Sequence, residues 1–328
     1  MDKEYKYMVA TECMTYNHAP YIEDSLRGFA MQETAFPVVY IVVDDASTDG
    51  EPDVIKQYLF DNFQDPFRTE ETEDYCLICA NHSSNANCTF VVVFLKYNHY
   101  SIKKTKLPYI KEWKNSAKYI AICEGDDYWI DSSKLRKQVD FLENNADYGL
   151  VYTYRKRLYQ ATGLIVEEAN HEYYGNVTSK LIIDNFIPTL TICYRNSLIK
   201  ELDMSYSKIP LLMQDYPFVI ELSRHSKIHC LTDVTAIYRV LNESASHSTS
   251  LNKRLEFKKN TYQIKLFFIK KYGFDELYTE IYSKYLYIES LICILEKRYL
   301  DAIKNYCKSG QYSVKDFGRI IYYCFRRG

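Results

Sequence analysis

The feature that most constrains the fold is an unbroken apolar run at residues 38–43, which ends in two aspartates, Asp44 and Asp45. Six consecutive β-branched or aromatic residues are typical of a strand that is buried on both faces. Such strands occur in parallel sheets covered by helices, so this segment favours an α/β architecture. The loop behind it, residues 46–50, is rich in residues that form turns and cap helices.

Strand-like and helix-like segments alternate along the first half of the chain. The predicted strands are residues 7–13, 38–43, 90–95, 119–123 and 149–153. The predicted helices are residues 20–30, about 52–60, a short one near 69–75, and 134–144. This order predicts a mostly parallel central sheet with right-handed crossovers, flanked by helices.

Three polar clusters directly follow predicted strands: residues 15–18, the pair Asp44 and Asp45, and the pair Asp126 and Asp127. The carboxyl ends of parallel strands meet at one edge of an open sheet, where such folds bind ligands. A carboxylate pair there can hold a hard divalent cation that also contacts substrate phosphates. A single aspartate at a strand end is also a common helix cap, but two pairs after two apolar strands favour a binding site.

Three segments carry a resemblance to a known family: CMTYNHAPYIEDSLRGFAMQ, VVYIVVDDASTDG and YIAICEGDDYWIDSSKLRKQVDFL. They resemble the inverting family-2 glycosyltransferases of bacterial surface-polysaccharide synthesis, and the resemblance covers roughly residues 6–250. It implies a nucleotide-diphospho-sugar transferase fold of the GT-A type with a D-x-D-like metal motif. The chain departs from the family pattern at Met14, where proline is usual, and at Ala46, where glycine is commoner.

The resemblance also implies roles for individual residues. Tyr16 and the adjoining backbone would frame the nucleobase, and Asp45 would bind the uracil or ribose while Asp44 supports the turn. Asp126 would face the ribose or sugar, and Asp127 would ligate a Mg²⁺ or Mn²⁺ ion that stabilises the departing diphosphate. The residues assigned to the donor are Thr15, Tyr16, Asn17, Asp44, Asp45, Lys103, Asp126 and Arg239.

Inversion requires a base that takes the proton of the acceptor hydroxyl. In the family this base is an acidic residue at the start of a downstream helix, and Gln214-Asp215 occupies the position where relatives carry Glu-Asp. We therefore assign Asp215 as the base, a role compatible with helix capping. His247, in the segment that resembles the family's closing S-x-S-H element, is assigned to the metal site, with a surface histidine as the alternative.

Two of the residues assigned to the donor also have a purely structural interpretation. Arg239 would neutralise the diphosphate or form a salt bridge at a strand end. Lys103, with Lys104, would lie near the nucleotide or on a solvated surface. Separately, Cys76, Cys79, His82 and Cys88 have spacings that zinc would accept, although residues 76–80 also read as a short apolar strand.

Beyond residue 250 the chain becomes a series of helices rich in Tyr, Lys, Leu and Ile. We predict a catalytic domain at residues 1–250 and a helical C-terminal extension at residues 251–328. The apolar face of this extension suits packing on the catalytic domain or a second copy, with a peripheral contact with the inner membrane face as the alternative. The sequence therefore leaves the oligomeric state open.

Composition limits which cellular compartment and which partners we expect for this protein. With 41 Lys and Arg against 43 Asp and Glu there is no basic excess, so nucleic acid is not an expected partner. No apolar segment of spanning length and no signal peptide is visible, which predicts a cytoplasmic protein with reduced thiols. The expected partners are a nucleotide-sugar donor, with UDP as the expected nucleotide, and a saccharide or lipid-linked acceptor. The alternatives are a nucleotidyltransferase and a sugar-nucleotide-binding scaffold without turnover.

Overall fold

The computed structural model describes residues 4–167, 171–241, 248–310 and 318 of the chain. Two compact units are present. The sheet unit comprises Met1–Val177, Phe186–Leu202 and Leu222–Arg239, and the helical unit comprises Thr178–Asn185, Asp203–Glu221 and Val240–Gly328. The helical unit takes in segments from both sides of residue 250, and the functional boundary drawn there stays a prediction.

The strands are β1 (Tyr7–Thr15), β2 (Val38–Asp44), β3 (Arg68–Glu71), β4 (Tyr75–Asn81), β5 (Cys88–Leu95), β6 (Ala117–Ile122), β7 (Tyr128–Trp129), β8 (Tyr148–Tyr159), β9 (Leu164–Glu167), β10 (Cys193–Arg195) and β11 (Lys227–Val240). Within the described residues they form one sheet in the order β3-β4-β5-β2-β1-β6-β10-β8-β11-β7, with β9 paired to β8. The helices are α1 (Ile22–Ala30), α2 (Glu51–Asn62), α3 (Leu107–Asn115), α4 (Lys134–Asn144), α5 (Thr178–Ile183), α6 (Asp215–His225), α7 (Leu251–Tyr272), α8 (Asp275–Leu295) and α9 (Tyr299–Ser309).

The centre of the sheet is parallel, in the order β5-β2-β1-β6. Every residue of β2 and β5 is buried, as expected for strands covered on both faces. The outer pairs β3–β4, β4–β5, β6–β10, β8–β10, β8–β9 and β7–β11 are antiparallel. The sheet is therefore mixed, and the α/β architecture expected from the sequence is confirmed, with its parallel portion at the centre.

The strand order reverses beside β1. From β1 the chain moves outward through β2 to β5 and then returns to add β6 on the other side of β1. An open sheet has a crevice at such a switch point, outside the carboxyl ends of the strands. This topology places the residues after β1, β2 and β6 at one edge of the sheet.

The prediction of a short helix near residues 69–75 is wrong, because this segment contains the β3–β4 hairpin, with Glu71 opposite Cys76. The hydroxyl of Thr72 accepts hydrogen bonds from the N–H groups of Asp74 at 3.2 Å and Tyr75 at 3.0 Å. These bonds close a tight turn that a helix would not allow. The acidic composition of the segment hid its alternation of half-buried and exposed residues.

The zinc hypothesis for Cys76, Cys79, His82 and Cys88 fails for a related reason. Cys76 and Cys79 lie three residues apart on β4, so their side chains point to opposite faces of the sheet. Within the described ranges, no group of three or more His, Cys, Asp or Glu side chains is placed to hold a metal ion. The alternative, that residues 76–80 form a strand, is confirmed.

In the helical unit, α7 and α8 pack against each other around Leu255, Ile288 and Ile292. Ser250 caps α7 by accepting a hydrogen bond from the N–H of Lys253, and Gly273 ends it with a left-handed φ of 70°. No helix in the described part of the chain is both long and apolar enough to cross a membrane.

Candidate active site

The ends of the three central strands are joined directly by backbone hydrogen bonds. The N–H of Asp45 donates to the carbonyl of Thr15 at 3.0 Å, and the N–H of Gly125 donates to the carbonyl of Met14 at 3.1 Å. A Cβ atom at Gly125 would approach the Cβ of Thr15 to 2.5 Å, so only glycine fits at this crossing. The three polar clusters predicted from the sequence therefore meet at one edge of the sheet.

A buried carboxylate, Glu51, organises the loop after β1. Its Oε2 accepts hydrogen bonds from the N–H of His18 and the hydroxyl of Ser47, both at 2.8 Å, and its Oε1 accepts from the hydroxyl of Thr15. Glu51 is the first residue of α2 and is fully buried, where the helix N-terminus favours negative charge. Sequence reasoning missed Glu51. The signal that could have identified it is an acidic residue in the first turn of a helix, directly after a loop rich in capping residues.

The next two residues of this loop, Tyr16 and Asn17, have different environments: the side chain of Tyr16 is exposed, and that of Asn17 is hydrogen-bonded to the protein. Asn17 has a left-handed φ of 57°, its N–H donates to the hydroxyl of Ser47 at 2.8 Å, and its side-chain oxygen accepts from the N–H of Thr48 at 2.8 Å. Asn17 thus ties the loop after β1 to the loop after β2. Tyr16 is 44% exposed and presents its ring to solvent.

Asp44 is almost completely buried at the end of β2. Its Oδ2 accepts a hydrogen bond from the N–H of Ser47 at 3.3 Å, while its Oδ1 has no hydrogen-bond partner within the described residues. Burial raises the pKa of Asp44 to about 6, and the nearby carboxylate of Glu51 contributes in the same direction. A buried carboxylate with an open lone pair at a strand end fits the predicted supporting role beside a ligand.

Asp45 instead holds the loop that follows β5. Its carboxylate accepts hydrogen bonds from the N–H groups of His99 at 2.7 Å and Tyr100 at 3.1 Å, and it pairs with the ammonium of Lys106 at 2.9 Å. Both of its oxygens are therefore engaged by protein donors. Lys106 is the basic residue of this loop that reaches the cluster, and sequence reasoning did not single it out.

The predicted donor residue Lys103 lies on the same loop with its side chain exposed and a left-handed φ of 55°. The adjacent Lys104 pairs with Asp74 at 3.3 Å. The structure places Lys103 in the loop that Asp45 organises, and it places Lys106 closer to the carboxylates.

The two carboxylates of the motif after β6 have different environments. Asp127 is 4% exposed, and its Oδ1 accepts a hydrogen bond from the N–H of Arg239 at 2.7 Å. Burial, and then the charge of Asp126, raise the pKa of Asp127 well above its ordinary value. The side chain of Asp126 is 22% exposed, and its Oδ2 lies 4.0 Å from Nε2 of His18. Asp126 is therefore the carboxylate of this pair that is open to a ligand.

The guanidinium of Arg239 makes three hydrogen bonds within the sheet unit. It donates to the carbonyl of Asp126 at 2.8 Å, to the side-chain oxygen of Gln160 at 2.6 Å and to the carboxylate of Asp24 at 2.7 Å. Of the two interpretations from the sequence, the salt bridge at a strand end describes this geometry. Arg239 thereby fixes the motif after β6 to α1 and β11.

Two predicted site residues remain, Asp215 and His247. Asp215 is the first residue of α6, as predicted, and belongs to the helical unit, whereas the strand-end carboxylates belong to the sheet unit. His247 lies outside the described residues, so its assignment to the metal site stays a prediction.

Comparison with known proteins addresses the fold. No protein-family model matches the chain. Uncharacterised proteins of Mycobacterium tuberculosis and Mycobacterium bovis are 28% identical over 245 residues, which is 74% of this chain and 61% of theirs. The chain thus spans about three fifths of the length of these curated relatives.

Among solved structures, the mannosyltransferase PcManGT from Pyrobaculum calidifontis, in complex with GDP-Man and Mn²⁺, matches with a TM-score of 0.51 and 14% identity, over 97% of this chain and 79% of that one. The chain has a GT-A-like glycosyltransferase fold. S. aureus TarS in complex with UDP aligns over 93% of this chain and 92% of its own, at 15% identity and a TM-score of 0.47.

The residues at the strand ends fit the divalent cation that a GT-A-like fold implies. An ion that bridges substrate phosphates needs only one or two protein carboxylates, and Mg²⁺ and Mn²⁺ prefer oxygen ligands. Asp126 supplies an accessible carboxylate beside the buried Asp127, and no cationic side chain is paired with either carboxylate at salt-bridge distance within the described residues, apart from His18 at 4.0 Å from Asp126. An oxygen donor set with an accessible carboxylate suits such an ion.

Proposed function

We propose that the protein is an inverting glycosyltransferase that moves a sugar from a nucleotide diphosphate, with UDP as the expected carrier, to a saccharide or lipid-linked acceptor. The observation that carries this proposal is the joining of the three strand ends, which gathers Tyr16, Asp44 and Asp126 at the switch point of the sheet. The fold shared with PcManGT, a mannosyltransferase in complex with GDP-Man and Mn²⁺, supports the same reaction class.

For the donor, we propose that the exposed ring of Tyr16 stacks on the nucleobase and that Asp44 accepts a hydrogen bond from the base or ribose. The open lone pair of Asp44 supports this role, because a bound donor group would satisfy a buried oxygen that the protein leaves unpaired. Asp45 would act through the loop after β5, and Thr15 and Asn17 would act by fixing the backbone around Tyr16.

For the cation, we propose Asp126 as the principal protein ligand instead of Asp127. Asp126 is the more exposed carboxylate, while one oxygen of Asp127 is committed to the N–H of Arg239. The ion, when bound, would supply charge stabilisation for the departing diphosphate. Asp127 would position Asp126 by holding this part of the chain against β11, through its hydrogen bond from the N–H of Arg239.

In the transfer step we propose Asp215 as the base. The acceptor hydroxyl oxygen forms a bond to the anomeric carbon while the bond from that carbon to the diphosphate oxygen breaks. The hydroxyl proton passes to the carboxylate of Asp215, and the nucleoside diphosphate leaves with the electron pair of the broken bond. A single displacement of this kind inverts the anomeric configuration. We place the enzyme in the cytoplasm or at the inner membrane face, in surface-polysaccharide synthesis.

The first test is a thermal-shift screen with UDP, GDP, dTDP and CMP, each with and without Mn²⁺. We expect one nucleotide to raise the melting temperature in a Mn²⁺-dependent manner, because a ligand that binds only the folded state stabilises it by mass action. Asp126→Asn should abolish the Mn²⁺ dependence, Asp127→Asn should retain a reduced part of it, and Asp140→Asn, an exposed aspartate on α4, should leave it unchanged.

A product assay separates the reaction classes. With the identified nucleotide-sugar, release of the nucleoside diphosphate that is lost in Asp215→Asn supports glycosyl transfer. Release of pyrophosphate would indicate a nucleotidyltransferase, and nucleotide binding without turnover of any donor would indicate a scaffold. Full transfer activity in both the Asp126→Asn and Asp215→Asn proteins would refute the proposed mechanism.

A further inference from the structure

A cavity of about 550 Å³ lies between α7 and α8 of the helical unit. Its described lining includes four cationic side chains, Arg254, Lys258, Lys265 and Lys284, and no acidic one. The other lining residues are uncharged: Phe257, Thr261, Tyr262, Tyr287 and Ile288. The volume falls in the range of small-molecule sites, about 300–1,000 Å³.

The deepest of the four cations is Lys265, which is 8% exposed. Its ammonium donates to the carbonyl of Ile183 at 2.6 Å, so one of its three protons is satisfied by the backbone of α5. Burial lowers the pKa of Lys265 to about 8. The carboxylates of Asp184 and Glu280 counteract this effect, and the charge of Lys284 adds to it. A buried ammonium beside a second cation is costly unless an anion comes close to it.

The other cations add to this excess of positive charge. Lys284 pairs with Glu280 one helical turn earlier, at 2.6 Å. Within the described residues, the guanidinium of Arg254 and the ammonium of Lys258 have no salt-bridge partner. Both lie near the N-terminal end of α7, four residues apart and thus on the same side of the helix. The side chains that line the cavity therefore carry more positive than negative charge.

We propose that this cavity binds the diphosphate group of a small anionic ligand, with the rings of Tyr262 and Tyr287 packing against the group attached to it. A diphosphate carries several negative charges on compact oxygens, and Arg and Lys side chains such as those that line this cavity bind such groups by charge-assisted hydrogen bonds. The same chemistry is found in a soluble diphosphate and in the head group of a diphosphate-bearing isoprenoid lipid. The site is separate from the strand-end cluster and does not depend on the proposed glycosyl transfer.

The test uses the full chain and inorganic pyrophosphate, titrated by calorimetry in buffer with EDTA so that a cation-dependent donor site does not contribute. We expect saturable binding that weakens at least tenfold in the double variant Arg254→Ala/Lys258→Ala. Lys253→Ala removes a single positive charge from an exposed neighbour on α7 that does not line the cavity, and it should change the Kd less than twofold.

A second arm identifies the source of the diphosphate. Phosphatidylcholine vesicles with and without a diphosphate-bearing isoprenoid lipid are sedimented with the protein. Binding that requires the lipid and is lost in the double variant supports a lipid head group, and pyrophosphate binding alone supports a soluble ligand. Absence of saturable binding to both probes, or an equal loss in Lys253→Ala, would overturn the proposal. Unchanged melting temperatures of the variants exclude misfolding as the cause of a loss.

Discussion

Replacement of Glu51 gives the sharpest test of how the candidate site is held together. This carboxylate is fully buried and accepts hydrogen bonds from Thr15 at the end of β1 and from His18 and Ser47 in the loops after β1 and β2. Glu51→Ala removes the acceptor and leaves the three donors without it. Glu51→Gln keeps the shape and one carbonyl oxygen, and its new amide N–H can donate to the hydroxyl of Thr15, since that hydroxyl also lies 3.1 Å from Nδ1 of His18.

The two variants should therefore differ in magnitude. A hydrogen bond contributes about 1 kcal/mol to stability, and an unsatisfied buried donor costs about 1–3 kcal/mol, so Glu51→Ala should lower the free energy of unfolding by about 3–4 kcal/mol. Glu51→Gln should lower it by about 1 kcal/mol, since most of the network can be rebuilt around the amide. The control is Glu23→Ala, a half-exposed first-turn acid on α1 paired with Arg27, which should cost less than about 0.5 kcal/mol.

Urea denaturation followed by circular dichroism measures these differences, and the thermal shift with nucleotide and Mn²⁺ provides a second readout. The nucleotide shift should weaken more in Glu51→Ala than in Glu51→Gln, because only the former frees the loop that carries Tyr16. Equal stability losses in the two variants, or a loss below about 1 kcal/mol in Glu51→Ala, would show that Glu51 does not organise these loops.

Two further predictions concern the loop after β2. Ala46 has a left-handed φ of 62°, so Ala46→Gly should raise the free energy of unfolding by about 1 kcal/mol. Gly50 has a φ of 93° with open space around it, and Gly50→Ala should lower the free energy of unfolding by about as much. Urea denaturation measures both changes, and a lower stability of Ala46→Gly would contradict the backbone argument. Folded Asp44 holds its proton up to about pH 6 and unfolded Asp only to about pH 4, so its carboxylate costs stability above pH 6 and the cost disappears as the pH falls to 4. Asp44→Asn should accordingly stabilise the protein at pH 7.5 more than at pH 4, and a stability difference independent of pH would refute the assignment.

The sequence predicted the centre of the fold well because its signals there are local. The apolar runs at β2 and β5 and the helical spacing in α1 and α4 each determine an element without reference to the rest of the chain. The β3–β4 hairpin was missed because its strands are short and β3 lies at the edge of the sheet, where one half of its residues face solvent and need not be apolar. In such a strand the pairing with a neighbour, which the local sequence does not display, decides the structure.

The candidate site was predicted in position but only partly in detail. Strand ends located the clusters, since the topology of a parallel sheet gathers them whatever the side chains are. The sequence did not show which aspartate of each pair is bound by a protein donor and which stays accessible, because that donor lies far away in the chain. Asp45 meets the loop that contains Lys106, and Asp127 meets the backbone of Arg239, which lies 112 residues away in the chain.

This dependence on distant donors explains a common property of the acidic residues in the sheet unit. Glu51, Asp45 and Asp127 are buried, and each accepts at least one backbone N–H from another loop or strand, so each fixes a segment next to the strand ends. A carboxylate whose lone pairs are used in this way is a poor ligand for a substrate or a cation, because binding would first have to break a buried hydrogen bond. Asp126 has solvent access beside these fixed segments, and it is therefore the aspartate of the motif whose loss should affect binding most and stability least.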